Sequence, residues 1–477
     1  MTAALPLFVV VGNVNQGKSS VVAALTEDET VPIDVYPGTT RRAAEYVFSA
    51  GGEQLFRIVD TPGFQRARQL LAAVQPRAAN AAERPAALRA FVASPAAAAA
   101  FPDEVELLRP ILAGAGILYV VDASSSVEPS NEAEMEILRW TGQPAMALLN
   151  RVRGRDHGSE WRPVLTQFFH IVREFDAHRA RFPERIALLR GFREIRPEWS
   201  GAIDRAVAAM EREWQQRTNR AVAVLADLVF ASLPHVERAP FPEGADEQAL
   251  RGRLDDAYRK AQRRFEADAR SRIEALYHHP GLGRDDPELD LLATDLFSEE
   301  TWRLFGLTRA QLVRNAAVAG ALAGGTIDVM VGGASLLAGA ALGAAAGAAL
   351  GFVAGTQIAS VWSNTNRIAR SLFPGDTGRF LAMGPVGSPR YAFVLLDRAL
   401  VHFRAVRDRS HARRGPLDAS EHATGIVATL PTGQRDALGR ALARVLKDVR
   451  AGRTDPDTRR QLEVRLHELL AALPPRS

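Results

Sequence analysis

A glycine-rich loop near the start of the chain constrains the fold more than any other feature of the sequence. Residues 7–25 read LFVVVGNVNQGKSSVVAAL: an apolar run rich in β-branched residues, then GNVNQGKS, then an amphipathic helical pattern. The loop fits G-x-x-x-x-G-K-[ST], in which the glycines let backbone N–H groups turn inward around phosphates at a helix N-terminus. Strand, loop and helix in this order predict an α/β domain that binds phosphate groups.

The loop also contains one of the few lysines of the chain. The sequence has three lysines against 56 arginines, so a lysine at the motif position is informative. We expect Lys18 to neutralise the β- and γ-phosphates of a nucleotide and Ser19 to ligate Mg²⁺. The predicted nucleotide-binding residues of the loop are Gly12, Asn13, Val14, Asn15, Gln16, Gly17, Lys18, Ser19 and Ser20.

Two later segments have the order found in nucleotide-dependent switches. VYPGTTRR (35–42) offers the hydroxyl of Thr40 to Mg²⁺ when a γ-phosphate is present. FRIVDTPGF (56–64) predicts a strand that ends in DTPG, where Asp60 holds Mg²⁺ through water and the Gly63 N–H meets the γ-phosphate. We therefore predict catalytic roles for Lys18, Thr40 and Gly63.

GNVNQGKSS, PGTTR and DTPG together resemble the TrmE–Era–EngA class of bacterial GTPases over residues 6–180. The resemblance implies GTP and GDP as ligands, Mg²⁺ as cofactor and GTP hydrolysis as the reaction. The rest of the chain resembles the C-terminal half of bacterial GTPases that carry a domain of unknown function. That second resemblance brings no known activity.

Two residues depart from the pattern of related GTPases. Phe64 follows DTPG where Ras-like proteins carry a water-orienting glutamine, and Gln65 is one position too late, which predicts slow hydrolysis or another way of orienting water. Asn15 stands three residues after Gly12, where TrmE-like GTPases use an asparagine to help bind K⁺. The alternative is that Asn15 only caps or bridges the loop.

The segment expected to read the base is incomplete. Asn150 follows the strand PAMALL where the resemblance predicts Asn-Lys-x-Asp, but the next three residues are Arg151, Val152 and Arg153. The aspartate that accepts the guanine N1–H and N2–H groups is therefore absent. FFHIVREFDA (168–177) predicts one more strand, which could supply Ala177 as a contact to the base. Because the aspartate is absent, the guanine preference rests on the resemblance and not on these residues.

Asp60 and Asn150 are 90 residues apart, roughly 30 more than in minimal members of the class. The excess falls at about 64–115, which is alanine-rich with scattered prolines and predicts short helices and loops. A long insertion after the second switch is suited to be a partner surface that senses the nucleotide state.

Beyond residue 177 we expect helices only. Long helices are predicted at 196–233 and 246–278, and shorter ones at 391–414, 433–450 and 456–472, with Thr432 and Asp455 as N-caps. The predicted domains are a GTPase domain (1–190), a helical region (191–300), an apolar hairpin (301–375) and a basic helical C-terminal region (376–477).

The C-terminal region is basic, and its residues 376–477 contain 18 Lys and Arg against 11 Asp and Glu. Such an excess favours RNA or anionic lipid as a partner. A solvated helical face is the alternative, notably for the basic helix end at 402–414.

An uncharged stretch supplies the last constraint. Residues 329–366 contain no Asp, Glu, Lys or Arg, and glycines recur at every fourth position from 339 to 355. Two arms, 315–331, which Asp328 interrupts, and 335–361, predict a glycine-zipper helical hairpin whose small residues allow close backbone packing. Each arm is long enough to span a membrane, and arginines flank both ends, as a hairpin entered from the cytoplasmic side requires. The alternative is a hairpin buried in a soluble domain.

These features predict a GTP-binding, slowly hydrolysing switch protein in the bacterial cytoplasm, at or inserted in the cytoplasmic face of the inner membrane through 315–361. Two alternatives stay open: a GTPase directed to RNA or the ribosome, and a pseudo-switch that binds nucleotide without turnover. The chain has no cysteine, which excludes disulfides and cysteine-ligated metals. The protein partner is not readable from the sequence.

Overall fold

The structure is a computed structural model that describes residues 5–13, 16–28, 31, 43–150, 157–242, 244–279, 380–386, 389–413 and 425–474. The chain divides into two compact units: Met1–Gln216 with Asp408–Gly415, and Arg217–Arg407 with Pro416–Ser477. Both arms of the predicted glycine-zipper hairpin, 315–331 and 335–361, lie outside the described residues. Within the described ranges, no helix has the length and apolarity needed to cross a membrane.

The first unit is built on a six-stranded sheet. Its strands are β1 (Leu7–Val11), β2 (Ala44–Ala50), β3 (Glu53–Asp60), β4 (Gly116–Asp122), β5 (Ala145–Asn150) and β6 (Ile171–Glu174). The order is β2-β3-β1-β4-β5-β6, with β2 antiparallel to β3 and every other neighbouring pair parallel. The carboxyl ends of the parallel strands therefore share one edge, where ligands bind in open α/β sheets. The predicted α/β phosphate-loop fold is confirmed.

Helices cover both faces of this sheet. They are α1 (Lys18–Thr26), α2 (Ala67–Val74), α3 (Arg84–Val92), α4 (Pro95–Ala100), α5 (Pro102–Leu112), α6 (Pro129–Trp140), α7 (Gly158–Phe168), α8 (Phe182–Ile195) and the first part of α9 (Ser200–Ser232). Phe8 and Val10 of β1 join the core that contains α1 and α8, whereas Val9 and Val11 join the core that contains α2, α5 and α6. This alternation follows from the two-residue period of a strand.

The alanine-rich insertion folds as helices α2 to α5, with two single turns of 3₁₀ helix between α2 and α3. Prolines stand in the first turn of α3, α4 and α5, where a missing N–H costs nothing. Leu70, Leu88 and Leu108 bury the inner side of these helices in the core beside β1 and β4. The insertion is therefore part of the folded core of the first unit.

The second unit is mostly helical, as predicted. Besides the later part of α9 it contains α10 (Glu247–Leu276), α11 (Pro389–Arg407), α12 (Ile426–Thr429), α13 (Thr432–Arg450) and α14 (Pro456–Ala472). Asp455 caps α14 as predicted, since its side chain accepts the N–H of Asp457 at 3.0 Å. Thr432 is not an N-cap: it is the first helical residue of α13, and Pro431 precedes the helix.

The expectation that strands end at residue 177 is wrong. β7 (Glu237–Pro240) and β8 (Phe380–Met383) form a two-stranded antiparallel sheet in the second unit. Each strand has four residues, too few for a two-residue period to be seen in the sequence, and the partners are distant along the chain. The guanidinium of Arg238 lies 4.2 Å from the centre of the Phe380 ring, a cation–π contact between the two strands.

The prediction that the helix continues to residue 414, with a basic end at 402–414, is also wrong, and so is the alternative of a solvated face. Helix α11 ends at Arg407, and the chain then makes a turn in which Ser410, His411 and Ala412 are buried. This turn belongs to the first unit. Arginines on both sides of the turn make the segment polar in composition, so the sequence does not indicate that Ser410, His411 and Ala412 are buried.

Candidate nucleotide-binding site

The phosphate loop begins where β1 passes very close to β4. Gly12 has φ 148°, and a Cβ atom there would lie only 2.3 Å from the carbonyl oxygen of Val120. A residue with a side chain does not fit this passage. On its other side, the Gly12 carbonyl accepts the N–H of Phe64 at 3.3 Å, so the end of β1 is joined to the segment after DTPG.

Lys18 is buried inside the loop that it was predicted to serve. It starts α1 directly after Gly17, whose φ of 81° is left-handed, and its Nζ donates to the Asn13 carbonyl at 2.8 Å. Its side chain is only 8% exposed. Burial lowers the pKa of Lys18, and the negative charges of Asp60 and Glu134 oppose that shift. A buried ammonium group needs anionic partners, and the loop around it suits phosphate.

The two residues predicted to hold Mg²⁺ from distant motifs are in contact. Ser19 Oγ donates to Asp60 Oδ2 at 2.7 Å, although the residues are 41 positions apart. Asp60 ends β3, and the next residue, Thr61, fixes the turn by donating its hydroxyl to the Val10 carbonyl at 2.7 Å. A hydroxyl and a carboxylate are hard oxygen donors of the kind that Mg²⁺ prefers. The donor set therefore fits this ion.

A second buried carboxylate interacts with Lys18, and no sequence motif marks it. Glu134 of α6 accepts the hydroxyl proton of Tyr119 at 2.9 Å. Burial raises the pKa of Glu134 to about 7, while the Tyr119 hydrogen bond and the Lys18 charge act in the opposite direction. Glu134 is therefore partly protonated near neutral pH, and its negative charge toward Lys18 grows as the pH rises. No motif marks this position, because its role depends on the packing of α6 against β4.

Asn150 connects the phosphate loop with the segment after β6. Its Nδ2 donates to the Gln16 carbonyl at 3.1 Å, and its Oδ1 accepts the Ala177 N–H at 3.1 Å. The side chain of Gln16 in turn accepts the N–H of Asp122 at the end of β4. Asn150 and Ala177, both predicted at the base, therefore lie together at the carboxyl edge of β5 and β6.

Several predicted residues cannot be placed in this way. Val14, Asn15 and Thr40 lie outside the described residues, as do Arg151–Arg153, and their roles stay predictions. Gly63 and Ser20 are described, and both are buried. Within the described chain, the site therefore unites Gly12, Asn13, Gln16, Gly17, Lys18, Ser19, Asp60, Asn150 and Ala177.

The segment after DTPG is fixed by the insertion. Phe64 is buried in the core between the sheet and the insertion helices, and Gln65 is exposed. Glu104 of α5, only 1% exposed, accepts the N–H groups of Gln65 at 3.0 Å and Arg66 at 2.6 Å through one oxygen. Helix α2 has no side-chain cap at its N-cap residue, so Glu104 satisfies free N–H groups there.

A neighbouring carboxylate of the same helix holds a second segment. Glu106 Oε1 accepts the N–H of Ala43 at 2.6 Å, just before β2 begins. Helix α5 therefore contacts the backbone next to both of the segments in which switch behaviour was predicted. Composition identified the insertion, but it did not identify these two glutamates, because their partners are 38 to 63 residues away.

Comparisons with known proteins identify two matching families and several similar proteins. Residues 7–151 match the model of the family described as "50S ribosome-binding GTPase", and residues 162–471 match "Domain of unknown function (DUF3482)". GTPase Der of Stenotrophomonas maltophilia (strain R551-3) is 28% identical over 155 residues, 32% of this chain and 27% of the relative. The tRNA modification GTPase MnmE of Heliobacterium modesticaldum is 31% identical over 144 residues, 30% of this chain and 24% of the relative.

The chain thus spans less than a third of the length of these curated relatives. Among solved structures, Era in complex with MgGDPNP and nucleotides 1506–1542 of 16S ribosomal RNA covers 58% of this chain and 90% of its own. The sequence identity to Era is 12% and the TM-score is 0.30.

Replacing Glu104 tests how firmly the insertion holds the segment after DTPG. Glu104→Ala leaves two backbone N–H groups without their buried acceptor, and we expect the free energy of unfolding to fall by about 1–3 kcal/mol. Glu104→Gln keeps a carbonyl oxygen as acceptor, so its free energy of unfolding should fall by less. Urea unfolding of the full chain measures the effect.

Glu83→Ala is the matched control. Glu83 lies in the same insertion and accepts the Ala79 N–H at 2.9 Å, but it is exposed. The free energy of unfolding of Glu83→Ala should fall by no more than about 0.5 kcal/mol. Equal losses in Glu104→Ala and Glu83→Ala would contradict a special role of the buried carboxylate.

Proposed function

The chain belongs to the family defined by the domain of unknown function DUF3482 and carries a GTPase domain of the TrmE–Era–EngA class, and we propose that it works as a slowly hydrolysing GTP switch. It is a GTP-binding GTPase of the Era, Der and MnmE type, and guanine nucleotide and Mg²⁺ follow from that class. The speed of hydrolysis, the use of K⁺ and the place of action belong to the proposal.

The observation that carries the proposal is the contact of Ser19 Oγ with Asp60 Oδ2 at 2.7 Å, next to the buried Lys18. Bound Mg²⁺ would neutralise charge on the phosphate oxygens. Ser19 and Asp60 would hold the ion, and Lys18 would bind the phosphates from inside the loop. The backbone N–H groups at the start of α1 would orient the phosphates.

Slow hydrolysis is supported by the residues after DTPG. Phe64 is buried in the hydrophobic core, and its phenyl ring has no polar group that could orient water. The backbone of Gln65 is held by Glu104, which fixes the segment, and the Gln65 side chain is exposed to solvent. A GTPase without a water-orienting glutamine needs another source of catalysis, and we propose K⁺ held by Asn15.

Nucleotide binding is tested first with Lys18→Ala. The variant removes the buried cation of the phosphate site, so GTP affinity should fall by at least about 100-fold in the presence of Mg²⁺. Lys260→Ala removes an exposed lysine of α10 and should leave the affinity unchanged. Equilibrium titrations with GTP and ATP side by side give the readout. Unchanged GTP affinity in Lys18→Ala, or tighter binding of ATP than of GTP, would overturn the proposed function.

Hydrolysis is tested by single-turnover assays in K⁺ and in Na⁺ at equal ionic strength. We expect slow turnover that is faster in K⁺, and we expect Asn15→Ala to lose the K⁺ stimulation. Gln65→Ala should keep the wild-type rate, because its side chain is exposed to solvent. Equal rates in the two salts, or K⁺ stimulation that persists in Asn15→Ala, speak against a bound potassium ion.

We also propose that the protein works at the cytoplasmic face of the membrane. The support is the sequence alone: residues 329–366 are uncharged and lie between arginines, Arg303, Arg309 and Arg314 before them and Arg367 and Arg370 after them. This pattern suits a hairpin with both ends on the cytoplasmic side. The basic region 376–477 and the match to the 50S ribosome-binding GTPase family support the alternative, a GTPase directed to RNA or the ribosome.

Cell fractionation separates these two possibilities. If the hairpin enters the membrane, the unmodified protein should stay in the membrane pellet after extraction with alkaline carbonate. Full release by carbonate would end the membrane proposal. Co-sedimentation of the released protein with ribosomes would instead support the RNA-directed alternative.

A further inference from the structure

A turn from near the end of the chain completes the first unit beside Ala177. Ser410 Oγ donates to the Ala177 carbonyl at 2.5 Å, and the serine is only 3% exposed. The same hydroxyl accepts the N–H of Ala412 at 3.3 Å, and the Ser410 carbonyl accepts the N–H of Arg413 at 3.1 Å. The direction of the hydroxyl is therefore set by its own turn.

The turn is anchored by packing as well as by hydrogen bonds. Ala412 is fully buried in the hydrophobic core that also holds Phe175 and Ala177. His411 is buried beside it. A segment held by a buried methyl group on one side and a hydrogen bond on the other keeps a fixed position relative to Ala177.

Ser410 is the outer end of a row of hydrogen bonds that reaches the phosphate loop. The Ala177 carbonyl accepts the hydroxyl proton of Ser410, and the Ala177 N–H donates to Asn150 Oδ1. Asn150 Nδ2 in turn donates to the Gln16 carbonyl. Both backbone groups of Ala177 are thus fixed. The position of the Ala177 backbone depends on Asn150 from one side and on Ser410 from the other.

We propose that Ser410 is a positioning residue for base recognition, which acts through Ala177 and not by touching the nucleotide. The inference rests on the proposed function, namely that this site binds a guanine nucleotide. Position 153 carries arginine in place of the base-reading aspartate, so the base must be recognised by fewer groups. The preference for a 6-oxopurine over a 6-aminopurine then depends more on Asn150 and Ala177. A small displacement of these two residues therefore lowers the base preference more.

The test compares GDP with ADP, because both carry the same phosphates and differ in the base. Ser410→Ala should weaken GDP binding by about 3- to 10-fold, the effect of one hydrogen bond, and leave ADP binding unchanged. The GDP-to-ADP affinity ratio should fall by the same factor. Ser410→Thr keeps the hydroxyl and should restore most of the ratio.

Ser94→Ala is the matched control. Ser94 also donates to a main-chain carbonyl, that of Phe91 at 2.7 Å, and accepts a main-chain N–H, that of Ala97 at 3.2 Å. It lies in the insertion, so its loss should leave the GDP-to-ADP ratio unchanged. If Ser410→Ala does not fold, Ala412→Gly loosens the same turn without removing the hydroxyl, and it should lower the ratio too.

The outcomes separate this inference from the proposed function. A wild-type chain that binds GDP no more tightly than ADP would overturn both. A selective wild-type chain whose ratio is unchanged in Ser410→Ala, or whose GDP and ADP affinities fall together, would overturn the positioning role alone, since a purely structural bond predicts the parallel loss.

Discussion

The first unit is organised around a positive charge that is removed from water. Lys18 is buried at the start of α1, and its ammonium group donates to the loop carbonyl of Asn13. Burial of an ammonium ion costs several kcal/mol unless negative charge lies close by. The sheet order supplies that charge, because β3 next to β1 brings Asp60, and β4 on the other side brings α6 with Glu134. Phosphate groups would add the remaining negative charge, so the loop is suited to an anionic ligand.

Two regions outside the recognisable motifs hold opposite ends of this site. The insertion provides Glu104, which fixes the backbone after DTPG, where the γ-phosphate would be sensed. The turn at 408–413 provides Ser410, which fixes Ala177 on the side where the base is proposed to bind. Each acts on a main-chain group and not on a side chain. Changes in either region can therefore alter the site without changing any motif residue.

Features that depend on residues close together along the chain were predicted from the sequence, whereas contacts between distant residues were mostly missed. The strand and loop at 7–19 are a local pattern, and Asp60 follows a strand in a known order, so both were predicted in place. Ser410 was missed, because a buried serine in an arginine-rich segment looks like solvated surface until Ala177 is brought against it. Glu104 was missed for the same reason, and so was the pairing of β7 with β8, whose partners are far apart along the chain. The N-cap of α13 was misplaced by one residue, which is the usual uncertainty of a helix boundary.

The position of Ala412 has a consequence for the folding of the first unit during synthesis. Its methyl group fills the core of a unit whose other residues end at Gln216, and the whole stretch Arg217–Arg407 is synthesised in between. At ordinary translation speeds that delay is on the order of 10 to 40 seconds. During this time the nascent first unit lacks a piece of its core beside Phe175 and Ala177. The core of the first unit beside Ala177 is therefore completed only after the turn at 408–413 has been synthesised.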